Sequence, residues 1–539
     1  MMKFKSAYLM CCLAAAVSTT ALAKEDNAKE KTPQVYQANW DSLKTHKVPQ
    51  WAQDAKFGVY AHWGAYSVSG QWDYAKPNWG NAYITPYKGI YSDQPTNNAR
   101  DLFEQNVGKL DEGFGYKDLA AQFTAKKFDA NKWADLVEKS GAKYAGLAAV
   151  HHDGYVLWDS EYTDFSAGKL GAKRDLFGEL LTAFEDRGLK TIASFHHART
   201  FKHYEKLIRK LKKAGVNNVD LLDEQYRNYY WFAGNEEDFA KKRYQLTKEV
   251  IDKYKPDVLW FDGGGGKFGT ERILADYFNM AQDAGKEVSV HNKGNFPEQF
   301  GLYSYENGHS RPLYVNWPWE DDTPSATGWC DWPWFKAIEY KQPRDLVVRL
   351  VDLVARNGGL LLSLNPRPDG SFDKGQEDLL LGMGKWLKQN GEAIYSTVPW
   401  KIYAEGHTER LDYFEVSQGG KKGRAIQPDV NKLNWQDVRF TRNGENLYAT
   451  TLGIAPAGKV SIKSLANKVS VSDENKITEV ELLGYGVVEW ERSDTELTIE
   501  LPKNLPNDWA LSFKIKVAGA LDKTLPAVTS TKMKMPKQT

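Results

Sequence analysis

The sequence is poor in cysteine, in unbalanced charge and in long hydrophobic runs. It has 3 Cys among 539 residues, and 71 Lys and Arg stand against 70 Asp and Glu, which gives a formal net charge of +1. Cys11 and Cys12 both lie in the N-terminal segment, so Cys330 has no other cysteine with which to form an internal disulfide. The near-neutral balance gives no electrostatic basis for nucleic acid or an anionic membrane as partners. After the first 23 residues no run is long and apolar enough to predict a membrane span.

Residues 1–23 are predicted to be a secretory signal peptide. Lys3 and Lys5 precede an apolar run that ends in Ala21-Leu22-Ala23, a small-x-small cleavage site. The sequence therefore predicts export, either to the periplasm or out of the cell. Residues 24–48 are charged and have no periodicity, which is typical of a flexible leader, and the polar tail 519–539 is predicted to be disordered.

Residues 49–399 alternate between short apolar runs that end in polar residues and segments of helical period. The seven runs interpreted as strands are 57–64, 144–154, 189–198, 257–264, 287–294, 302–308 and 358–366. The helical segments are 174–188, 238–254, 271–285 and 344–358. This alternation predicts an α/β fold, a (β/α)8-like TIM barrel with its active site at the C-terminal ends of the strands. An open doubly wound sheet is the alternative.

The pattern changes after Pro399-Trp400. Short β-rich segments separated by turn residues follow at regular spacing, from ENLYATTLGI to WALSFKIKV. This spacing is typical of an antiparallel β-sandwich, which we predict for residues 400–518. Because exposed aromatics are not concentrated there, bracing the barrel is favoured over glycan binding.

The stretch DVLWFDGGGGKF, residues 257–268, ends an apolar run in a carboxylate, Asp262. Its four glycines match neither GxGxxG nor GxxxxGK[ST], so a phosphate loop is not favoured. A carboxylate at the C-terminal end of a barrel strand lies where barrel enzymes carry out catalysis. Retaining hydrolysis of a glycoside needs a second carboxylate about 5 Å away. Glu306, at the end of the 302–308 strand, is the first candidate, and Glu320, in the loop that follows, is the second.

Histidines and tryptophans lie near these carboxylates. The histidines at predicted strand ends are His62, His151, His152 and His196. They can hydrogen-bond several sugar hydroxyls, and three together could bind zinc, but neither HExxH nor a Cys/His spacing supports a metal. Trp317 and Trp319 could supply a hydrophobic wall and a stacking surface for a sugar. These residues favour a carbohydrate site without a metal.

Four blocks, in order, resemble those of α-L-fucosidases of glycoside hydrolase family 29. They are FGVYAHWGAYSV, KYAGLAAVHHDGYVLWDSEYTDFS, DVLWFDG and VDLVARNGGLLLSLNPRPDG. The resemblance covers about residues 40–400, and a β-sandwich behind the barrel also fits the family. It implies an exo-acting retaining hydrolase that removes terminal α-L-fucosyl residues from oligo- or polysaccharides, with no metal or organic cofactor. Assembly of the protein into a homo-oligomer is compatible with this resemblance.

The resemblance also implies roles for individual residues. Asp262 resembles the nucleophile and Glu306 the acid/base, with Glu320 as the alternative. The residues implied to contact the sugar are His62, His151, His152 and Trp260.

Three departures from the family bear on the substrate. Residues 77–87, PNWGNAYITPY, lack the acid of a Glu-Trp-Tyr segment that many relatives carry. Lys293 stands where an arginine is common, and His196 lies in ASFHHA, which replaces a tyrosine-bearing strand end. These changes suggest an anionic substrate such as a sulfated or marine-type fucose polysaccharide. An α-L-galactosidase, a non-catalytic carbohydrate-binding barrel and a metal-dependent hydrolase are the alternatives.

Overall fold

The structure is a computed structural model that describes most of the chain. The described residues are 35–68, 70, 104, 108–111, 113–213, 215, 217–294, 296–307, 314–327, 332–406, 416–418, 421–423 and 432–528. The predicted signal peptide, residues 77–87 and Cys330 lie outside them, so the predictions made there stay predictions. Within the described ranges, no helix has the length and apolar character needed to cross a membrane.

Eight parallel strands form a closed barrel in which each strand pairs with the next and the last pairs with the first. They are β1 Phe57–Ala61, β2 Tyr144–Val150, β3 Lys190–Phe195, β4 Val258–Phe261, β5 Ser289–Asn292, β6 Leu302–Glu306, β7 Trp319–Pro324 and β8 Gly358–Leu364. Seven of them fall within the predicted runs. Closure through the pairing of β1 with β8 confirms the TIM barrel and excludes the open sheet.

The strand β7, with the sequence WEDDTP, was missed by the sequence analysis, which placed Glu320 in a loop. The placement in a loop is wrong, because Glu320 is the second residue of this strand and is 1% exposed. The side chains of Glu320 and Asp322 both bond to inward-facing tyrosines of other strands. Asp321 alternates with them and pairs with Arg349 on the outer side of the wall. Partners elsewhere in the chain therefore stabilise a strand that has no apolar run.

Ten helices are defined within the described residues. They are α1 Trp40–Leu43, α2 Gln50–Ala55, α3 Tyr116–Ala121, α4 Ala130–Ser140, α5 Leu176–Glu185, α6 Thr200–Lys213, α7 Glu236–Tyr254, α8 Thr270–Asp283, α9 Pro343–Ala355 and α10 Lys374–Asn390. The four predicted helices correspond to α5, α7, α8 and α9, within three residues at each end. Two helices, α6 and α7, separate β3 from β4. The first of them begins beside the C-terminal end of β3.

Part of the predicted flexible leader is packed against the barrel. Residues 36–48 include α1, whose N-terminus is capped by Asn39 and whose Leu43 is fully buried. The backbone of Tyr36 exchanges hydrogen bonds with the Asn279 side chain of α8. The leader prediction is therefore wrong for this part, because a few apolar anchors in a charged run are enough to order it. The predicted disordered tail likewise begins too early, since Leu521 is buried.

The C-terminal region is built from antiparallel sheets, as predicted. Its strands are β9 Val398–Glu405, β10 Val416–Gln418, β11 Lys421–Gly423, β12 Val438–Asn443, β13 Asn446–Thr451, β14 Lys459–Ile462, β15 Lys476–Leu482, β16 Gly486–Val487, β17 Trp490–Arg492, β18 Leu497–Glu500 and β19 Leu511–Ala518. Six strands form one sheet in the order β16-β15-β19-β13-β12-β9, and β14-β18-β17 form a second. A single apolar cluster that includes Trp400, Phe440 and Phe513 draws residues from both sheets.

Barrel helices contact this domain through buried polar groups. Arg439 of β12 lies with its Nε 2.6 Å from Oδ1 of Asp352 in α9, and Arg356 Nε lies 3.0 Å from the same oxygen. All three side chains are at most 1% exposed. Trp386 of α10 donates its indole N–H to the carbonyl of Ala510 at 3.0 Å. These contacts brace the barrel from the side of α9 and α10.

Candidate active site

The C-terminal ends of β1 to β6 bring most of the predicted site residues together. The residues gathered there are His62, His151, His152, His196, Asp262, Lys293 and Glu306. Each follows or ends a strand whose inner side chains are buried, so the barrel wall fixes where its backbone lies. Solvent reaches this group mainly at Glu306, whose side chain is 21% exposed, while the side chain of Asp262 is only 5% exposed.

Asp262 lies among cations and imidazoles. Its Oδ2 lies 3.3 Å from Arg199 Nε, 3.4 Å from His152 Nε2 and 3.6 Å from His196 Nδ1. Its Oδ1 lies 3.7 Å from Lys293 Nζ. Burial alone would raise the pKa of Asp262, but the charges of Arg199 and Lys293 and the bond to His196 lower it well below its ordinary value. Asp262 is therefore an ionised carboxylate, the form in which it can act as a nucleophile.

The glycines after Asp262 turn the chain sharply at the edge of the site. Gly263 and Gly264 have φ values of 79° and 86°, in the left-handed region that residues with a side chain rarely adopt. A Cβ at Gly264 would lie 2.7 Å from the Cβ of Ala198. The turn therefore needs glycine both for its conformation and for its closeness to the end of β3.

Lys293 joins the two candidate catalytic carboxylates. Its Nζ lies 2.9 Å from Glu306 Oε2 and 3.7 Å from Asp262 Oδ1, so these two oxygens are at most about 6.6 Å apart. The carboxylates of retaining glycosidases are separated by about 5–5.5 Å and those of inverting enzymes by about 6.5–9.5 Å. Burial lowers the pKa of Lys293, but the charges of Glu306 and Asp262 oppose burial, and the pKa is raised above its ordinary value. Lys293 is therefore a permanent cation between the carboxylates.

The histidines form a packed group of neutral rings. The ring of His151 lies 4.4 Å from that of His196 and 5.1 Å from that of His62. Burial, followed by neighbouring positive groups, lowers the pKa of His62 and His151 well below the ordinary value. Burial also lowers the pKa of His152 to about 3. A neutral imidazole can donate at one nitrogen and accept at the other, which suits hydrogen bonding to sugar hydroxyls.

Neighbouring groups orient these rings. His152 Nδ1 lies 2.8 Å from the carbonyl oxygen of His196 and must donate to it, which leaves Nε2 as an acceptor on the side of Asp262. His62 Nδ1 lies 2.7 Å from the hydroxyl of Ser363, and His196 Nε2 lies 2.9 Å from that of Ser194.

Two sets of three described side chains bring ligand atoms within 4.8 Å of one another. They are His62, His151 and His196, and His152, His196 and Asp262. Nitrogen and carboxylate donors of this kind suit zinc. His196 belongs to both sets, yet its two nitrogens already face Ser194 and Asp262. The ligand atoms that a metal-dependent hydrolase would need are therefore close together, but His196 would have to give up an existing contact to bind a metal.

Two tryptophans enclose the site. Trp260 of β4 is fully buried, and its ring lies 5.1 Å from that of His196 in a stacked arrangement. Trp332 lies with its ring 4.9 Å from that of His62. Lys293 Nζ is 5.4 Å from the first indole ring and 5.6 Å from the second. The cation is thus held between two aromatic faces as well as among carboxylates.

Glu320 lies deeper in the barrel than the site. Its Oε2 accepts from Tyr144 Oη at 2.8 Å and lies 3.1 Å from His291 Nδ1, and its Oε1 accepts from Trp260 Nε1 at 3.1 Å. Tyr144 is the first residue of β2, at the end of the strand opposite the site. Glu320 is therefore a bonded polar group of the barrel interior, and Glu306 is the better candidate for the acid/base.

Trp317 and Trp319 do not reach the site. Trp319 lies on the outer side of β7, where its ring packs against Tyr305 and its indole N–H donates to the carbonyl of Arg356 at 3.2 Å. Trp317 precedes β7 and lines a cavity with Phe300 and Tyr303. The prediction that these tryptophans wall the sugar site is therefore wrong. Trp332 takes that place.

Three residues of the site were not predicted from the sequence. Arg199 comes three residues after His196, a spacing that could have suggested a cation beside the strand end. Asp322 lies 3.7 Å from Lys293 Nζ and accepts from Tyr60 Oη at 2.7 Å, but it belongs to the strand that was missed. Trp332 lies in the same tryptophan-rich region as Trp317 and Trp319, and no local signal distinguishes it from them.

A closed barrel that gathers two carboxylates and four imidazoles at the C-terminal ends of its strands has the layout of a glycoside hydrolase, and the protein is of that class. Comparison with known families narrows the class. The family model described as Alpha-L-fucosidase matches residues 23–392, and that of the Alpha-L-fucosidase C-terminal domain matches residues 431–516. The chain therefore belongs to the α-L-fucosidase family, glycoside hydrolase family 29.

Individual relatives agree with this assignment. The plasma alpha-L-fucosidase of Homo sapiens is 30% identical over 405 residues, which cover 72% of this chain and 77% of that protein. The plasma alpha-L-fucosidase of Rattus norvegicus is 29% identical over 508 residues, which cover 89% and 94%. The crystal structure of Thermotoga maritima alpha-fucosidase in complex with fucose superposes with a TM-score of 0.67 at 26% identity, covering 89% of this chain and 99% of that one.

Proposed function

We propose that the protein is an exo-acting retaining α-L-fucosidase that removes terminal α-L-fucosyl residues from glycans. The observation that carries the proposal is the pairing of Asp262 with Glu306 across Lys293, with oxygens at most about 6.6 Å apart. This limit fits the spacing of a retaining enzyme and leaves almost no room for the water of an inverting one. Membership of the α-L-fucosidase family indicates that the sugar removed is α-L-fucose.

Asp262 and Glu306 carry the two steps of the reaction. An oxygen of Asp262 donates an electron pair to the anomeric carbon, the glycosidic C–O bond breaks, and Glu306 gives its proton to the departing oxygen. In the second step Glu306 takes a proton from water, whose oxygen attacks the same carbon and releases Asp262. Lys293 stabilises the carboxylate that Glu306 becomes between the steps, since its Nζ lies 2.9 Å away.

The neutral histidines would bind the hydroxyls of the sugar. His152 Nε2 and Asp262 Oδ2, two acceptors 3.4 Å apart, can share a hydroxyl hydrogen between them. Because the imidazoles are uncharged, they stabilise the hydroxyls without opposing the positive charge that develops on the sugar ring.

Sulfated or marine-type fucose polysaccharides are the proposed substrates. Arg199, whose side chain is 47% exposed, adds a second cation to Lys293 at the edge of the site. The missing acid in residues 77–87 points the same way, although these residues lie outside the described part of the chain. Export of the protein is a further proposal. It is supported by residues 1–23, in which two lysines precede an apolar run and a small-x-small cleavage site.

Two alanine variants and azide test the mechanism. Glu306→Ala should lose about 10²- to 10⁴-fold in turnover of an alkyl fucoside, and much less with an activated aryl leaving group that needs no proton. Asp262→Ala should lose activity on both. Azide should rescue Glu306→Ala with an α-fucosyl azide product, and Asp262→Ala with the β anomer.

The turnover of Asp262→Ala and the anomer of fucose that the wild type releases first can each contradict the mechanism. Near-wild-type turnover by Asp262→Ala would exclude it as nucleophile, and initial release of β-L-fucose by the wild type would exclude retention. Glu320→Gln is the matched control, since it also removes a carboxylate of the barrel interior. We expect it to lower stability, without the dependence on leaving group that marks an acid/base.

A further inference from the structure

Helix α6, Thr200–Lys213, is strongly basic although the chain as a whole is not. Its basic residues are Lys202, Lys206, Arg209, Lys210, Lys212 and Lys213, and Glu205 is its one acidic residue. Six cations less one anion give the helix a net charge of +5, whereas the formal net charge of all 539 residues is +1. The helix belongs to the β3–β4 connection and starts one residue after Arg199, which contacts Asp262.

The cations form a stripe along one face. Counted from Arg199, the basic residues recur at spacings of three and four, which places them on one side of a helix. The members of this stripe are Arg199, Lys202, Lys206, Arg209 and Lys213, all of them exposed. The opposite face of the helix buries Tyr204, Leu207 and Leu211. The helix has 14 residues, and at a rise of 1.5 Å per residue the stripe is about 21 Å long.

Helix stability does not account for these charges. Cations near the C-terminal end of a helix are favourable, but Lys202 lies in the first turn, where the helix dipole disfavours it, and Lys206 lies too far from either end for the dipole to favour it. Burial and then the neighbouring cations Arg209 and Lys210 lower the pKa of Lys206, and burial and Arg209 lower that of Lys210. The stripe therefore carries charge of one sign along an exposed face, which favours anionic ligands there.

We propose that this basic stripe binds the sulfate groups of the glycan chain that extends beyond the fucosyl residue being removed. The proposal rests on the proposed fucosidase function, because the stripe begins at Arg199, beside the nucleophile. A glycan whose terminal sugar contacts Asp262 must pass the rim of the site, and α6 follows directly on one rim residue. A membrane surface fits poorly, since the apolar face of α6 packs on Asp153 and Phe232 through Tyr204 and is not available to lipid.

A triple variant tests the stripe while the catalytic residues stay intact. We choose Lys202→Gln/Lys206→Gln/Arg209→Gln, because glutamine has nearly the helix propensity of the residues replaced. The matched control is Lys374→Gln/Lys385→Gln/Lys388→Gln, which removes three exposed cations from α10. The substrates are an uncharged aryl α-L-fucoside, a sulfated fuco-oligosaccharide and the same oligosaccharide after chemical desulfation.

The triple variant should keep wild-type kcat/KM on the aryl fucoside and on the desulfated oligosaccharide. On the sulfated oligosaccharide it should lose about tenfold in kcat/KM at low salt, since each of the three exposed charge contacts removed contributes about twofold. The loss should largely disappear at about 0.5 M salt, where charges are screened within a few ångströms. The control should behave as wild type on all three substrates.

Other results would overturn the proposal. An undiminished kcat/KM of the triple variant on the sulfated oligosaccharide, or an equal loss in the α10 control, would remove the stripe as a glycan surface. Tighter binding of duplex DNA than of the sulfated oligosaccharide by wild type, lost in the triple variant, would reassign it to nucleic acid. Failure of the proposed function is distinguishable, because wild type would then leave the uncharged aryl fucoside intact.

Discussion

Asp153 should make the protein less stable as the pH rises from acid to neutral. It follows His152 and is 2% exposed. Its Oδ1 accepts from the backbone N–H of Tyr155 at 3.2 Å, whereas its buried Oδ2 has no hydrogen-bond partner among the described residues. Burial outweighs the backbone hydrogen bonds and raises the pKa of Asp153 to about 7.

The size of the effect follows from linkage. In the unfolded chain the carboxyl group has its ordinary pKa of 3.8, so folding raises it by about three units. At 1.36 kcal/mol per unit this is about 4 kcal/mol. Below pH 4 both states carry the proton and the contribution is intact. Between pH 4 and pH 7 the folded state binds more protons, so stability is lost as the pH rises through this window.

The substitution Asp153→Asn removes the titration and keeps the acceptor for Tyr155. We expect urea unfolding to show a gain of about 3–4 kcal/mol over wild type at pH 8, and almost none at pH 4. Exposed Asp283, at the end of α8, is the control, and Asp283→Asn should give the same difference from wild type at both pH values. A constant difference between Asp153→Asn and wild type from pH 4 to pH 8 would refute the reasoning.

Three further predictions concern charged groups. Arg199→Gln should raise the pKa of Asp262, so the acid limb of kcat/KM against pH should move up by about half a unit to one unit; an unmoved limb would contradict this. Arg439→Met should lower the free energy of unfolding by about 3 kcal/mol, because Asp352 loses a partner while it stays buried; a loss under about 1 kcal/mol in urea unfolding would contradict this. Asp322→Asn should keep kcat/KM within about threefold at neutral pH, since an amide resembles a protonated carboxyl group; a hundredfold loss would show that the carboxylate is required.

Local patterns predicted most of the barrel and failed where partners come from distant strands. Strands such as β2, β4 and β8 are buried along their whole length and appear in the sequence as apolar runs. The exception is β7, which is equally buried but carries inward Glu320 and Asp322, to which Tyr144 of β2 and Tyr60 of β1 donate hydrogen bonds. Such a strand cannot be recognised from its own six residues, because its stability depends on side chains more than a hundred residues away.

Site residues at strand ends could be predicted from the sequence, whereas site residues in loops could not. His62, Asp262 and Glu306 follow or end predicted strands, and the barrel rule places all of them at one face. Arg199 and Trp332 come from connections, whose path over the barrel is set by packing that a single sequence does not reveal.

The contrast between Asp262 and Asp322 shows what the fold adds to the residue type. Both are buried aspartates near Lys293, yet the pKa of Asp262 is lowered and that of Asp322 is raised. Arg199 and His196 stabilise the charge of Asp262, while burial and the charge of Glu306 act against a charge on Asp322. With one lysine among three carboxylates, the raised pKa of Asp322 weakens its competition for Lys293, which can then balance the charge of Glu306 as that residue gives up and regains its proton. The barrel thus keeps the nucleophile charged by placing Arg199 and His196, which follow β3, against Asp262, whereas Lys293 is shared with Glu306 and Asp322.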